Sequence, residues 1–380
     1  MHSSGQPPTM KIPVAKPYLW GNEVKYVNEA LSEGWISSKG RFITDFEEKF
    51  ADFCKSKYAV TVSNATNALH LAIDALGLTD NDEIIIPDFT MMAPVFAILQ
   101  HRCTPVFVDI DHTWNMDVSQ IGEKITKRTK AILVVHNYGH PAYMPAIRTL
   151  CDEHNLLLIE DCSEVIGAEI NGELIGNWGD VSCYSFYANK IITTGEGGMI
   201  TTNDAHIYEL ASSKKNMAFG QEQSRFEHIS IGYNYRMTNL QAAIGLGQLE
   251  HIDQAIERKI QIANCYRRNL NGVRGLVLPP SESWAKNVYW VFGILLTPEF
   301  GCSKTHVQKV LSANGIETRN FFTPAHKQPF LKDFPIKGQF PNSSFIHLHG
   351  LYLPSFAELG DADIEAICDI IKNTQKEYPA

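Results

Sequence analysis

Cys183-Tyr-Ser-Phe-Tyr-Ala-Asn-Lys190-Ile-Ile-Thr-Thr-Gly-Glu-Gly-Gly198 is the segment from which both the fold and the chemistry of this chain can be predicted. Its one lysine, Lys190, stands among apolar and small residues and precedes a glycine cluster that lets the backbone approach a flat ligand. A lysine desolvated in this way loses proton affinity and can act as a nucleophile and base near neutral pH. Taken alone, Lys190 favours a simpler interpretation, in which its amine reaches solvent from the end of a strand.

An acidic segment upstream changes that balance. The apolar run Leu156-Leu-Leu-Ile159 predicts a buried parallel strand that delivers Glu160 and Asp161 to its carboxyl end, where open α/β sheets bind ligands. A pyridine cofactor that acts as an electron sink needs a carboxylate at its ring nitrogen and a lysine for its aldehyde. Asp161 and Lys190 supply both, and Ser185 adds a hydroxyl for a phosphate. Singly, Asp161 could be a helix N-cap and Ser185 an ordinary sheet residue, so the hypothesis depends on the set.

Strand-like runs alternate with helix-length segments through much of the chain. The segment Asn64–Leu76 opens with capping residues and predicts a helix with an apolar face at Leu69, Ala72, Ile73 and Leu76. The predicted strands are Glu83–Pro87, Pro105–Asp109, Ala131–His136, Leu156–Asp161, Tyr184–Tyr187 and Met199–Thr202. This alternation predicts an α/β fold with a mostly parallel sheet covered on both faces.

Two domains are predicted, a large one over residues 12–250 and a smaller one over residues 251–380. A long helical stretch from Thr238 to Leu270 leaves the large domain. The smaller domain should contain a strand at Tyr289–Leu296 and helices at Lys304–Ala313 and Asp361–Asn373. An N-terminal strand around Ile12–Ala15 could join either domain, and the polar segment Met1–Thr9 is left out of the fold prediction.

Composition excludes several classes of protein. With 380 residues and 44% hydrophobic content, the chain can bury a large core. A net charge of −9 argues against a nucleic-acid surface, which needs clustered Lys and Arg. None of the eight cysteines forms a Cys-x-x-Cys pair, as expected for reduced thiols of the cytosol. No apolar stretch is long enough to span a bilayer, so the sequence predicts a cytoplasmic protein without membrane association.

Several of these motifs resemble one protein family, the pyridoxal-phosphate-dependent nucleotide-sugar aminotransferases of the DegT/DnrJ/EryC1/StrS type. The resemblance runs from about Ile12 to the C-terminus, and it is carried by Glu160–Glu164, Gly179-Asp180, Ser185-Phe186, Asn189-Lys190 and Gly195–Asn203. It implies an aspartate-aminotransferase-like fold, with a large domain on a seven-stranded, mostly parallel sheet and a smaller C-terminal α+β domain. It also implies pyridoxal 5′-phosphate as the cofactor.

Within the family, other segments most resemble the GDP-perosamine synthases, and they are Trp35–Ser38, Gly40–Phe42, Asn189–Gly198 and Gly232–Asn239. Those enzymes aminate the 4-keto group of GDP-4-keto-6-deoxymannose, with L-glutamate as the amino donor. The resemblance therefore implies a nucleotide-linked 4-keto sugar and glutamate as the substrates of this chain.

The resemblance implies Lys190 and Asp161 as catalytic residues. The implied cofactor-binding residues are Ala65, Thr66, Met91, Asp161, Glu164, Ser185, Lys190 and Asn234, and the implied substrate-binding residues are Trp35, Ser37, Arg41, Arg236, Arg319 and His326. Among the first set, Glu164 would face the phenolic oxygen of the cofactor, although an exposed turn carboxylate is its simpler interpretation. Asn234 would reach the cofactor phosphate of the other subunit, which predicts a homodimer with composite sites.

Two positions depart from the family pattern. Ala65-Thr66 stands where relatives have Gly-Thr, at a helix start whose free N–H groups suit a phosphate. Met91 stands where relatives carry the Phe or Tyr that stacks on the cofactor. Its thioether can pack against a ring less rigidly, and Phe89 is a poorer substitute because of its register.

Three alternatives remain open, namely an aminotransferase for a UDP- or dTDP-linked 4-keto-6-deoxy sugar, a 3-dehydratase of the same family and a non-enzymatic pyridoxal-phosphate-binding regulatory protein. The dehydratases replace the lysine by histidine, so Lys190 argues against that alternative. The spacings His136-x-x-x-His140 and His347-x-His349 suggest metal ligands, but each lacks a visible third ligand, and no metal site is predicted.

Overall fold

A computed structural model describes residues 11–220, 224 and 226–376, so the segment Met1–Thr9 lies outside the described residues. The helices are α1 Glu23–Glu33, α2 Arg41–Cys54, α3 Ala65–Ala75, α4 Ala93–Gln100, α5 Met144–His154, α6 Ala205–Lys215, α7 Asn239–Leu249, α8 Ile252–Leu270, α9 Lys304–Ala313, α10 Pro341–His349 and α11 Asp361–Lys376. Among these helices of the described chain, none is both long and apolar enough to cross a membrane.

The strands fall into three sheets. They are β1 Tyr58–Val62, β2 Glu83–Pro87, β3 Thr104–Val108, β4 Thr129–Val135, β5 Leu157–Asp161, β6 Glu169–Ile170, β7 Glu173–Leu174, β8 Val181–Ser185, β9 Gly198–Thr202, β10 Leu276–Val277, β11 Ala285–Lys286, β12 Phe292–Leu296, β13 Arg319–Asn320 and β14 Gly350–Leu353. The large sheet has seven strands in the order β1-β9-β8-β5-β4-β2-β3. Only β9 runs antiparallel to its neighbours, which confirms the mostly parallel sheet.

The central strands are apolar on both faces because helices cover both sides of the sheet. Along β4, Ile132 and Val134 pack into the layer that contains α2 and α7, whereas Leu133 and Val135 pack into the layer that contains α3, α4 and α6. All four are buried, and truncating Ile132 or Leu133 to alanine costs about 2–5 kcal/mol. A strand that is apolar along its whole length is therefore buried on both faces of this sheet. The carboxyl ends of the parallel strands meet at one edge of the sheet.

The predicted long helix from Thr238 to Leu270 is wrong, because two helices occupy that stretch. Thr238 starts α7 with a reciprocal capping box to Gln241, and α8 begins after His251. At the break, the Glu250 carboxylate accepts hydrogen bonds from Asn22 and Tyr26 of the α1 region. The two helices therefore separate where the α1 region contacts Glu250. Neither glycine nor proline stands at this break.

Two strand predictions also need correction. Strand β1 pairs with β9 at the edge of the sheet, but it was not among the predicted strands. The predicted strand Tyr289–Leu296 begins only at Phe292. Tyr289 has a left-handed φ of 47°, so the chain turns there and Trp290 leaves the line of the strand.

The C-terminal part has its own apolar core. A four-stranded antiparallel sheet in the order β10-β12-β14-β13 packs with α8, α9 and α11. The N-terminal segment joins this part, because Ile12 forms a parallel bridge with Ile316 and the Val14 carbonyl accepts from the Ser355 N–H. The segment between β13 and β14 instead returns to the large sheet, where the Asp109 carboxylate accepts from the Ser343 N–H and hydroxyl.

Candidate active site

A cavity of about 300 Å³ opens at the carboxyl edge of the large sheet, beside the ends of β5 and β8. That volume lies at the lower end of the roughly 300–1,000 Å³ typical of ligand cavities. Its walls come from the α3 start, the β5 and β8 ends, the loop after β8 and the C-terminal part. The lining residues are Asn64, Ala65, Thr66, Leu69, Met91, Ala93, Pro94, Val135, Asp161, Ser163, Glu164, Ser185, Tyr187, Asn189, Lys190, Glu196, Trp290, Phe322 and Tyr352.

Lys190 lies in the turn after β8, where its N–H bonds the Tyr187 carbonyl. Its amine lies 3.8 Å from the centre of the Trp290 ring and 3.6 Å from a Glu164 carboxylate oxygen. Burial lowers the pKa of the Lys190 amine, although the negative charges of Glu164 and Asp161 oppose that shift. The amine is therefore held away from water and closer to its neutral, nucleophilic form than a surface lysine is.

Asp161 ends β5 and forms part of the buried wall of the cavity. Burial raises the pKa of its carboxyl, while the Ser163 N–H, bonded to Oδ1 at 3.0 Å, and the charge of Lys190 act in the opposite direction. A desolvated carboxylate of this kind is stabilised by a cationic N–H group brought into the cavity. The structure thus excludes the solvent-facing helix cap that the sequence left open for Asp161.

Glu164 is buried rather than exposed on a turn. One of its carboxylate oxygens accepts from the Tyr138 N–H at 2.8 Å, and the other faces Lys190. Burial raises the pKa of Glu164 to about 7, against the lowering effect of the Lys190 amine. Its charge therefore changes near neutral pH, within reach of the amine.

The start of α3 forms another part of the cavity wall. The Asn64 side chain caps the helix by accepting from the Asn67 N–H at 2.9 Å, and the next two residues, Ala65 and Thr66, line the cavity. Gly198 packs against this turn so closely that a methyl group there would lie 2.6 Å from the Asn64 carbonyl carbon. Ser185 also lines the cavity, so a helix start and a hydroxyl residue, both of kinds that bind anions, share this wall.

Met91 and Phe89 occupy different environments. Met91 is 52% exposed and lines the cavity, whereas Phe89 is fully buried against Tyr138, Phe321 and Phe322. The structure thus places Met91, and not Phe89, in the wall of the cavity. The stacking of Met91 on a cofactor ring stays a prediction.

The other predicted residues lie outside this cavity within one chain. Ser37 and Arg236 line a second, open cavity of about 740 Å³. Asn234 is exposed, and its amide oxygen accepts two hydrogen bonds from the Arg236 guanidinium. Trp35 is also exposed, and its carbonyl accepts a hydrogen bond from the Asn239 side chain at the start of α7. A role for these residues at the cavity therefore requires a second subunit.

The remaining predicted substrate residues have local partners. Arg41 pairs with Glu29 of α1 and with Asp45 one turn along α2. Arg319 pairs with Glu317, and His326 bonds the buried Asp88 carboxylate at 2.7 Å. Arg319 is nevertheless near the cavity, because its strand partner in β14 is the lining residue Tyr352. Substrate binding by Arg41, Arg319 and His326 stays a prediction.

Ligand atoms of His136, Glu160 and Cys162 lie within 4.8 Å of one another in the buried core. The side chains of His136 and Glu160 are engaged within the protein. The Glu160 carboxylate accepts from the backbone N–H groups of residues 176, 178 and 179 and from Ser182, and His136 Nδ1 accepts from the Ala142 N–H. Burial raises the pKa of the Cys162 thiol well above its ordinary value. We interpret this cluster as part of the strand packing below Asp161.

Sequence reasoning missed several residues of the cavity wall, above all Trp290 and Asn189. The Trp290 indole covers the Lys190 amine and donates from Nε1 to the Asn189 carbonyl at 2.8 Å. The predicted strand Tyr289–Leu296 includes Trp290, whereas the left-handed backbone of Tyr289 turns the chain before it. Asn189 belongs to the lysine motif, but the motif predicts no role for its side chain.

The residues present fit a pyridoxal phosphate. The lining residue Asn189 has a buried side-chain oxygen with no hydrogen-bond partner among the described residues, so an acceptor in the cavity wall is not satisfied by the protein itself. The desolvated amine, the buried carboxylate and the anion-binding helix start then correspond to the aldehyde, the ring nitrogen and the phosphate of that group. A flat, doubly charged ligand matches this donor set better than a metal ion does.

Comparison with known proteins agrees with this geometry. The model of the DegT/DnrJ/EryC1/StrS aminotransferase family matches residues 17–372. GDP-perosamine synthases of Vibrio cholerae and Escherichia coli O157:H7 are 44% and 45% identical to the chain, and each match covers 95% of this chain and 98% or 97% of the relative. A crystal structure of DesI in the presence of its TDP-sugar product superposes with a TM-score of 0.89 at 29% identity, covering 98% of this chain and 93% of that one.

Proposed function

The chain belongs to the DegT/DnrJ/EryC1/StrS aminotransferase family, and we propose that it aminates C4 of GDP-4-keto-6-deoxymannose with L-glutamate as the donor, using pyridoxal 5′-phosphate. One observation carries the proposal. The Lys190 amine, the Asp161 carboxylate and the start of α3 all open into a single cavity, in a chain closely similar to two GDP-perosamine synthases. The product would then be GDP-perosamine.

The cofactor, when bound, supplies an aldehyde that carries the amino group and a ring that accepts the electron pair of the reacting carbon. Asp161 would hold the proton on the ring nitrogen of the bound cofactor, because its desolvated carboxylate gains most from a cationic N–H partner. Lys190 would hold the aldehyde. Its Nζ, when free, would accept the proton of the amino-bearing carbon of glutamate and donate one at C4 of the sugar.

Trp290 and Glu164 both adjust the basicity of Lys190. The indole excludes water from one side of the amine, which favours its neutral form, while the ring face and the ionised Glu164 both attract the ammonium form. A base whose pKa lies close to the working pH both accepts and returns protons efficiently. This pair of neighbours supports Lys190 as the group that moves protons in both half-reactions.

Two observations bear on the alternatives. Lys190 is present where a dehydratase of the family would carry histidine, and its intact, desolvated setting supports an enzyme rather than a regulatory protein. The DesI structure with a TDP sugar is 29% identical to this chain, which keeps a dTDP-linked substrate as a competitor. The GDP-perosamine synthases are more similar to the chain, at 44% and 45% identity. We therefore favour a GDP-linked substrate.

The substrate proposal is tested by assaying the purified protein with glutamate and GDP-, UDP- and dTDP-linked 4-keto-6-deoxy sugars. We expect the largest kcat/KM for GDP-4-keto-6-deoxymannose, by at least about tenfold, because buried polar groups that recognise one base are left unpaired by another. The Lys190→Ala variant is the control for amination without the enzyme. A larger kcat/KM for a UDP or dTDP sugar would overturn the nucleotide assignment.

We also propose that two copies of the chain build composite sites. Large apolar side chains are exposed around the segment that carries Asn234, namely Trp35, Ile36, Phe226, Ile229 and Ile231. Such a surface is costly in water and suits a second copy, which would carry Asn234 of one subunit to the cofactor phosphate of the other. A phosphate needs hydrogen-bond donors, and the Asn234 amide can provide them.

Subunit mixing tests the composite site. Neither Asn234→Ala nor Lys190→Ala homodimers should reach full activity, but a mixed dimer has one site in which both residues are intact. Exchange of the two variants should therefore restore activity, and exchange of Asn234→Ala with itself is the control. Verified exchange without any restored activity would show that Asn234 serves its own chain.

A further inference from the structure

The segment Tyr233–Arg236 has two differently exposed faces. The rings of Tyr233 and Tyr235 are half-buried against the apolar layer that contains α3, whereas Asn234 between them is exposed. This alternation is that of an extended strand with one face on the core. The tyrosines therefore determine which way Asn234 faces.

The two tyrosine rings form a parallel stack, with centroids 4.8 Å apart and an interplanar angle of 9°. Both rings meet His70 of α3 edge-on, at 5.0 and 5.8 Å. Burial and the neighbouring His101 lower the pKa of His70 to about 4, so its neutral ring can accept from the Tyr235 hydroxyl, 3.3 Å from Nδ1. The stack is thereby attached to the helix whose first turn lines the cavity.

Backbone contacts fix the same segment on two further sides. The N–H groups of Tyr233 and Tyr235 donate to the carbonyls of Lys214 and Lys215 at 2.7 and 3.0 Å. The Tyr235 carbonyl accepts from Ser63, the residue before the α3 cap, at 2.8 Å. Little freedom is left to the segment as long as the stack is in place.

Arg236 completes the orientation of Asn234. Its guanidinium donates from Nε and Nη2 to Asn234 Oδ1, at 3.0 and 2.7 Å, and from Nη1 to Asn216 Oδ1 at 2.8 Å. Because the oxygen of the Asn234 amide is held in this way, the NH₂ end lies on the opposite side. That end is a pure donor, which is the group that a phosphate oxygen requires.

We propose that the Tyr233–Tyr235 stack is a positioning element that presents the Asn234 amide to the second subunit, so that loosening the stack in one subunit weakens cofactor binding in the other. This inference rests on the composite site proposed above. It predicts an effect that crosses the subunit interface, whereas tyrosines that only stabilise their own chain would act within it.

Defined heterodimers, purified through two different affinity tags, separate these effects. In the reference heterodimer one subunit is unchanged and the other carries Lys190→Ala, so only one site can attach the cofactor to Lys190. The crossing arrangement adds Tyr233→Leu and Tyr235→Leu to the Lys190→Ala subunit. The same-chain arrangement adds them to the subunit that keeps Lys190. The readout is the Kd of pyridoxal phosphate, from the absorbance band of the lysine-bound cofactor.

We expect the crossing arrangement to raise that Kd about tenfold, equivalent to about 1.4 kcal/mol, and to do so more than the same-chain arrangement. Phenylalanine at both positions keeps the stacked rings and their edge-on contacts with His70 but loses the Tyr235 hydroxyl bond, so it should recover most of the affinity that leucine loses. Tyr208→Leu in the crossing arrangement is the matched control, since Tyr208 stacks on Tyr58 with centroids 4.6 Å apart on the same side of the sheet. It should leave the Kd unchanged.

A crossing arrangement with the reference Kd, or an effect confined to the same-chain arrangement, would overturn the inference. If the double leucine variant does not assemble, Tyr235→Leu alone carries the same prediction. Asn234→Ala in the crossing position separates this inference from the proposal on which it rests. If it raises the Kd while the tyrosine variants do not, only the positioning role is lost; if it has no effect, the composite site and the positioning role are both lost.

Discussion

At the scale of single residues, burial opposes the charge of both reactive groups in the cavity. It lowers the pKa of the Lys190 amine and raises that of the Asp161 carboxyl, while each charge partly offsets the desolvation of the other. Lys190 and Asp161 could be predicted from the sequence because each signal is local, a lysine before glycines and a carboxylate after a buried apolar run. Trp290 could not, because its contact with Lys190 depends on a backbone turn a hundred residues away.

Asp161→Asn should lower kcat by on the order of a hundredfold or more, because a neutral amide does not keep the proton on the cofactor ring. The stability of the folded chain should not fall in the same way. Asparagine keeps an oxygen for the Ser163 N–H and removes a desolvated charge, so the thermal midpoint of the cofactor-free protein should be unchanged or higher. Steady-state kinetics and thermal unfolding of the two proteins measure this difference. Equal kcat values would remove Asp161 from the mechanism.

Glu164→Gln should change how stability depends on pH. The pKa of Glu164 is raised from 4.5 to about 7 in the folded chain, so its contribution to stability is fully present below about pH 4.5 and is lost as the pH rises through about 7. The unfolding free energy of the unchanged protein should therefore fall relative to that of the glutamine variant across this range.

Denaturant titrations of the cofactor-free proteins at several pH values check the Glu164 prediction. Glu48→Gln is the control, because Glu48 is exposed on α2 and should leave the pH dependence as it was. A constant difference between Glu164→Gln and the unchanged protein across that range would contradict the prediction.

At the scale of elements, the site depends on where strands and helices end. The predicted limits of α3, β2 and α9 agree with the structure within a residue or two, because capping residues and apolar runs mark them. The end of α7 and the start of β12 could not be predicted, since contacts with α1 and the left-handed Tyr289 determine them. The close approach of Gly198 to the α3 cap likewise becomes visible only in three dimensions.

Gly198→Ala should weaken cofactor binding through the start of α3. The added methyl group would lie 2.6 Å from the Asn64 carbonyl carbon and 2.8 Å from the Ala65 nitrogen, so the helix start must move. We expect a stability loss of about 1–3 kcal/mol and at least about a tenfold rise in the Kd of pyridoxal phosphate. Gly122→Ala, where a methyl group meets open space, is the matched control. An unchanged Kd in Gly198→Ala would show that the helix start does not hold the phosphate.

At the scale of the whole molecule, the cavity lies where the large sheet meets the C-terminal part. The large-sheet part contributes Lys190 and Asp161, and the C-terminal part contributes Trp290, Phe322 and Tyr352. The sequence predicted the sheet, and comparison confirmed the family, but the residues that the C-terminal part contributes were missed. Their positions depend on how that part packs, and no local pattern encodes this. For the same reason Trp35, Ser37 and Arg236 acquire a role only if a second copy brings them to a cavity.

Transfer of labelled nitrogen tests the central claim most directly. L-Glutamate carrying heavy nitrogen is incubated with the purified protein, pyridoxal phosphate and GDP-4-keto-6-deoxymannose, and the nucleotide sugar is analysed by mass spectrometry. We predict that the label appears in an amino group at C4, in step with the release of 2-oxoglutarate, and that Lys190→Ala gives neither product. A sugar that loses a hydroxyl without gaining labelled nitrogen, or one left unchanged by a cofactor-loaded protein, would contradict the account.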